Sequence, residues 1–273
     1  FFGTRNIHTE DFTWTTNLNI GYNKNKVIKE TVAQNATYPS REGYPVGAIF
    51  AYKTAGLDAE GYPLFLTKDG QKVTATEFLK LNAHGASTLS AEEQRNLYTY
   101  MGSTDPKYTG GLINTFEYKD WQLGVNFIFN FGMKVRVQPS YSPARYDRGL
   151  NVNRDILKRW TADNTNGAYA KLMTSTERPR EYVQYNEYNL YSMLDTWVRN
   201  CNYVRLQSLR LGYKLPTQWL EHIGIKSASL SIEARNLFVI ASNYDNYLDP
   251  ETMGNPYAQP IPKSFIFGAN INF

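Results

Sequence analysis

Residues 263–273 read KSFIFGANINF. Phe265, Phe267, Ala269, Ile271 and Phe273 fall on one face; Ser264, Ile266, Gly268, Asn270 and Asn272 fall on the other. A period of two is the signature of a β-strand with unlike faces. Here the apolar face is aromatic-rich, and the last Phe stays in phase with it.

The same alternation recurs upstream. In residues 12–22, Phe12, Trp14, Leu18, Ile20 and Tyr22, with Thr16, make an apolar face, while Thr13, Thr15, Asn17, Asn19 and Gly21 make a small polar one. Residues 109–137 predict a hairpin. Leu112, Phe116 and Tyr118 lead into the turn Lys119-Asp120, and Trp121, Leu123, Val125, Phe127, Phe129 and Phe131 then run in phase, with Gln122, Gly124, Asn126, Ile128 and Asn130 between them. A slip of one residue would turn that second set outward. In lipid, each unpaired polar group costs several kcal/mol, so the register is well determined. In residues 203–215, Leu209, Leu211, Tyr213 and Leu215 share a face, but Val204 and Leu206 are out of phase with them; a β-bulge near Gln207 reconciles the halves, and so does a strand that leaves the membrane there. Residues 226–238 place Ala228, Leu230, Ile232 and Ala234 outward.

Composition agrees with a membrane wall made of strands. Of 273 residues, 15% are aromatic, and Tyr leads with 21. Tyr and Trp suit boundaries that are apolar at one end and wet at the other. Mean hydropathy is negative, and no apolar run approaches the roughly 18 residues of a membrane helix. That rules out helical spans and leaves a barrel open, because barrel strands are half polar. The net charge of +4 is too small to argue for nucleic acid. The single Cys201 forms no internal disulfide.

The strands at 12–22, 109–118, 121–137, 203–215, 226–238 and 264–273, with a partial one at 1–8, number six or seven. The smallest closed membrane barrel has about eight, and an open edge in lipid leaves backbone groups unpaired. The chain is therefore expected to be the C-terminal part of one larger transmembrane barrel domain. Its first residues, Phe1-Phe2-Gly3-Thr4-Arg5, are not an initiator Met and signal peptide, which fits either a removed leader or a chain that starts partway through a longer protein; the strand count favours the second. Short links at 9–11, 119–120 and 216–226 belong on the periplasmic side; long ones at 28–108, 138–202 and 239–263 belong outside. The first long connection is too long to be passive. Short strands are expected near 46–52 and 62–66, and Ser90 with Glu93 predicts a capping box on a short helix. Residues 153–161 predict a helix with Ile156, Leu157 and Trp160 on one face.

Several segments resemble the C-terminal region of SusC/RagA-type TonB-linked outer-membrane proteins: DFTWTTNLNIGYNKNKV, YTGGLINTFEYKDWQLGVNFIFNFG, NYVRLQSLRLGYKLP, SLSIEARNLF and SFIFGANINF, with NYDNYLDPE similar to an external-loop motif. The resemblance implies a multi-pass outer-membrane barrel of about 22 strands with an N-terminal plug. It implies import of nutrients such as oligosaccharides or peptides, driven by TonB, beneath a surface lipoprotein of the SusD type. The plug, the TonB box and the N-terminal strands are expected in a part of the transporter outside this chain.

The chemistry-bearing residues are few. His8, His84 and His222 lie far apart without metal-ligand spacing; no phosphate-cradling Gly loop or GxSxG is present. No enzyme activity and no cofactor are expected. Tyr182, Tyr185, Tyr188 and Tyr191 recur every third residue, as a stacking platform for sugar or peptide or as packing within an external loop. Asn243, Asp245, Asn246, Asp249 and Glu251 cluster oxygen ligands that suit Ca²⁺, or equally a polar turn with Asx hydrogen bonds. Arg210, Lys214, Glu233 and Arg235 are expected to face the lumen, contacting substrate or plug or forming an ion-pair network. Trp14, Trp121 and Tyr213 are expected toward lipid. Two rival readings remain: a soluble exported all-β carbohydrate-binding module, and a passive porin without TonB coupling. The first leaves the alternation of short and long links unexplained.

Overall fold

The computed structural model describes residues 1–139, 146–173, 187–241, 248–255 and 258–273. In chain order come β1 (Phe2–His8) and β2 (Phe12–Tyr22). The first long connection holds β3 (Ala48–Ala51), β4 (Thr54–Leu57), β5 (Pro63–Leu66), β6 (Lys72–Val73), α1 (Ala75–Leu79), α2 (Ala91–Asn96) and β7 (Thr99–Ser103). The hairpin β8 (Tyr108–Tyr118) and β9 (Trp121–Phe131) follows. The second connection carries β10 (Lys134–Arg136), α3 (Glu187–Ser192) and β11 (Val198–Asn200). Last come β12 (Tyr203–Lys214), α4 (Thr217–Leu220), β13 (Ser227–Arg235), β14 (Val239–Ala241) and β15 (Ser264–Asn272).

Seven strands form one antiparallel wall in the order β1-β2-β8-β9-β12-β13-β15, with β14 continuing beside β12. Strands β2, β8 and β9 pair without a break over their full lengths, from Phe12↔Tyr118↔Trp121 to Tyr22↔Tyr108↔Phe131. Eleven residues at about 3.4 Å each, tilted by about 40°, span roughly 25–30 Å, the height of a membrane-spanning band. Aromatics collect at both ends of that band. Trp121 packs on Tyr213 at 4.5 Å between ring centroids at one end, and Tyr22 meets Tyr108 at 5.2 Å at the other.

The registers put the apolar sets of every strand on one face. Phe265, Phe267 and Ile271 lie beside Ala234, Ile232 and Ala228; Leu209, Leu211 and Tyr213 lie beside Val125, Leu123 and Trp121. One polar island interrupts it. Asn114 accepts from the Trp14 indole N–H (3.0 Å) and the Thr16 hydroxyl (2.6 Å), so the amide oxygen is satisfied within the wall.

The expected bulge is present. The pairing of β12 with β9 shifts between Leu206 and Ser208, returning Val204 and Leu206 to the apolar face opposite Phe129 and Phe127. A second irregularity faces it on the next strand, where Asn236 adopts φ +55° and donates its N–H to Gln207 O. Beyond the bulge, Tyr203 and Arg205 project from the polar face, opposite Asn130 and Ile128.

Two expectations are corrected. The strand read as 121–137 ends at Phe131, because Gly132 takes φ +79° and redirects the chain into β10, which pairs with β11. Residues 154–158 form a short 3-10 helix in which Ile156 is buried but Leu157 is exposed, so the three apolar residues do not share a face.

The buried core lies outside the wall. Tyr52, Phe65, Phe78, Leu79, Val135, Tyr169, Leu190, Tyr191, Leu194, Trp197 and Met253 pack together from both long connections and the segment after β14. These connections form a folded cap. The first capping box is the expected one, Ser90 with Glu93; a second, Thr74 with Glu77, starts α1. Tyr52 exchanges backbone hydrogen bonds with Met193 and Asp195 (2.9 and 2.8 Å), tying one connection to the other.

Candidate functional site: the cap and its cleft

The cap is fastened to the wall by Arg205. Arg205 is 2% exposed, and its guanidinium bonds both Asp249 and Glu251, the latter at 2.6 Å. A cation buried this fully requires paired acceptors. Next to it, the Cys201 thiol donates to Pro250 O at 2.9 Å. Burial first, then the carboxylates of Asp249 and Glu251, push that thiol up to about 11. Leu248 and Met253 complete the contact by packing on the cap core.

A second seam joins the foot of the cap. The Asp105 carboxylate accepts from Asn25 Nδ2 (2.9 Å) and Gly47 N (3.1 Å), while Asn25 Oδ1 accepts from Val46 N (2.7 Å). The Asn25 bond, helped by those from Gly47 and Ser103, holds this carboxyl below the usual range against the opposing effect of burial.

Between these anchors the cap opens a cleft of about 670 Å³. Tyr38, Phe50 and Tyr98 supply aromatic surface, and Glu30, Arg41 and Arg136 supply charge. That volume is in the range of small-molecule sites. Glu30 and Arg41 close on each other: Arg41 Nε and Nη2 both reach Glu30 Oε1, and Arg41 N donates to Oε2. The Arg41 bonds hold the Glu30 carboxyl below its ordinary range. A second cleft of about 340 Å³ is lined by Thr54, Asp58, Tyr169 and Tyr191.

The residues singled out from sequence fall in different places. Tyr182 and Tyr185 lie outside the described residues, as does the side chain of Tyr188. Tyr191 is buried in the cap core, its ring edge-on to Trp197 at 5.2 Å and its hydroxyl accepting from Ala170 N at 3.1 Å. It holds the cap together instead of offering a free ring face. Arg210, Lys214, Glu233 and Arg235 do share the polar face of the wall. Arg210 stands opposite Glu233 in register, and Glu233 bonds Arg235 at 2.6 Å. Of the oxygen cluster, Asn243, Asp245 and Asn246 lie outside the described residues, while Asp249 and Glu251 are committed to Arg205. Among the described residues no group of three His, Cys, Asp or Glu is placed to hold a metal ion.

Two positions of the cap and its cleft, Arg205 and Arg136, were not singled out. Arg205 and Asp249 are separated by 44 residues; the one available signal was a cation in phase with the polar face just past the bulge. Arg136 was hidden inside a stretch read as strand.

No protein-family model matches the chain. Its sequence is 26% identical over 299 residues to TonB-dependent receptor P3 of Formosa agariphila, covering 99% of this chain and 28% of that protein. It is 23% identical over 277 residues to TonB-dependent receptor SusC of Bacteroides thetaiotaomicron, covering 98% of this chain and 25% of that protein. These relatives are receptors, not enzymes. Among solved structures, the RagAB peptide transporter aligns over 99% of this chain and 28% of its own, with a TM-score of 0.70 and 24% identity. The chain thus spans under a third of the length of the relatives it matches. Along almost all of its length this chain is similar to part of a TonB-dependent receptor of the SusC kind, and its fold is that of a transmembrane β-barrel wall with a folded cap.

Proposed function

We propose that the chain forms the C-terminal seven wall strands and the attached external loops of a TonB-dependent outer-membrane transporter. The observation that carries this reading is the combination of a one-sided apolar wall with open edges. Among the described residues, neither β1 nor β15 has a strand on its outer side. In lipid both edges must pair, so the partners are further strands that complete a barrel. The polar face, with Arg210, Lys214, Glu233 and Arg235, then lines the lumen, and the short links lie in the periplasm. The cap lies outside the cell, where a SusD-like lipoprotein would close over it. A plug domain would couple the barrel to TonB, and the cargo would be an oligosaccharide or a peptide. The likeness to SusC and to the RagAB peptide transporter supports this assignment.

Uptake by cells carrying the full-length protein tests it. Growth on or import of the cargo should stop when TonB is deleted, with the protein still in the outer-membrane fraction. Import that continues without TonB favours the passive porin. A protein that is folded and monodisperse without detergent favours the soluble binding module.

A further inference from the structure

Arg136 lines the 670 Å³ cleft from β10. Its Nη1 donates to Ser192 O at 2.9 Å and its Nη2 to Phe50 O. Among the described residues it has no carboxylate partner. Burial depresses its pKa, as expected of a cation partly withdrawn from water without a counter-charge. Two other arginines are ion-paired: Arg205 with two carboxylates, and Arg41 with Glu30 in the same cleft. With Glu30 engaged by Arg41, the described lining residues leave Arg136 as a positive charge without a carboxylate partner.

Guanidinium carries five N–H donors in a planar fork. Two carbonyls occupy two of them here, which fixes the plane of the group and leaves the others for a ligand. A carboxylate matches that fork in a bidentate manner. Tyr38, Phe50 and Tyr98 flank the position with ring surface, suited to the body of a small ligand whose acidic end is held by the cation. We propose that this cleft is a binding site for a carboxylate-bearing ligand, with Arg136 as the residue that recognises the acid. The proposal rests on the transporter reading only in placing the cleft on the substrate side of the barrel. Two sources share the chemistry: the C-terminal carboxylate of a peptide, and the carboxylate of a uronic-acid sugar.

The test uses the full-length detergent-solubilised protein and two matched probe pairs in calorimetry. One pair is tetra-alanine as free acid and as C-terminal amide; the other is trigalacturonic acid and its methyl ester. At least one acid should bind about tenfold or more tightly than its neutral partner, and the pair that shows this identifies the source. Arg136→Gln should erase the preference, bringing the affinity for the acid down to that for its neutral partner. Arg136→Lys should retain an intermediate preference, because the ammonium keeps the charge without the fork. Heat-modifiable migration on gels checks that each variant is a folded barrel. The proposal is overturned if neither acid binds, if acid and neutral probes bind alike, or if Arg136→Gln weakens both members of a pair equally. The last outcome would make Arg136 only a staple between Phe50 and Ser192. Outer-membrane insertion and TonB-dependent uptake, measured on the same variants, report separately on the transporter reading.

Discussion

Arg205 of the wall and Asp249 of the cap form a buried ion pair across 44 residues of chain, and Glu251 takes the other side of the same guanidinium. Removing one partner leaves an uncompensated buried charge. Arg205→Ala or Asp249→Ala is expected to cost about 3–5 kcal/mol and to release the segment 248–255. Protease cleavage within that segment should accelerate while the wall stays protected. The double variant should be less damaging than the sum of the singles; strict additivity would show that the pair does not couple cap to wall.

Ile232 and Ser231 are neighbours on β13 with opposite outlooks. Ile232→Arg places a cation on the lipid face near mid-strand, at a cost of about 2–4 kcal/mol. Ser231→Arg places it on the polar face and should be tolerated. The amount of heat-modifiable barrel in outer membranes reads the difference. Equal yields would mean that the two faces have been assigned wrongly.

The Asp105 seam is expected to be acid-sensitive. Its carboxyl titrates below the unfolded value of about 3.9, so its contribution is complete above that value and disappears as pH falls through the depressed folded one. The protection factor of the Gly47 amide, taken against its intrinsic exchange rate at each pH, should fall in that acid window in the natural protein. Asp105→Ala should show low protection at Gly47 already at neutral pH and no change of protection with pH, the seam being weakened by roughly 1–2 kcal/mol.

Gly61 carries the ring of Trp160 and takes φ +88°; a Cβ there would approach the indole to 2.4 Å. Gly70 has φ +79° and open space around it. Both alanine variants bear the left-handed backbone strain of about 1–2 kcal/mol, but only Gly61→Ala also displaces Trp160. Gly61→Ala should therefore lower the melting temperature of the cap by more than Gly70→Ala does. The same shift in both would show that the Trp160 contact yields freely.

The wall was legible in the sequence because lipid on one side and water on the other impose a period of two on every strand. Phe265 to Phe273 and Trp121 to Phe131 show it almost without exception, and Gln207 betrayed the bulge by breaking phase. The cap was legible only where local chemistry is self-contained, as with the Ser90–Glu93 box. The Thr74–Glu77 box obeys the same rule and was passed over, since its helix spans only five residues. Tyr191 could not be placed by its spacing, because its burial depends on Trp197 and Ala170, which reach it through the tertiary fold. Arg136 escaped notice because Gly132 ends the wall strand through a backbone rotation that the alternation itself does not encode.

The thiol of Cys201, sealed beneath Pro250, offers a clock for the cap. With its pKa pushed up to about 11, about one molecule in ten thousand carries thiolate at neutral pH, and the closed cap shields even that fraction. Alkylation by a maleimide then proceeds only as often as the segment 248–255 lifts away. With reagent in enough excess that alkylation outpaces reclosing, the labelling rate at the chain's single cysteine equals the rate of opening, without any engineered probe. A slower clock in the presence of a cargo would mean that the occupied cleft and the Arg205 clasp belong to one moving part.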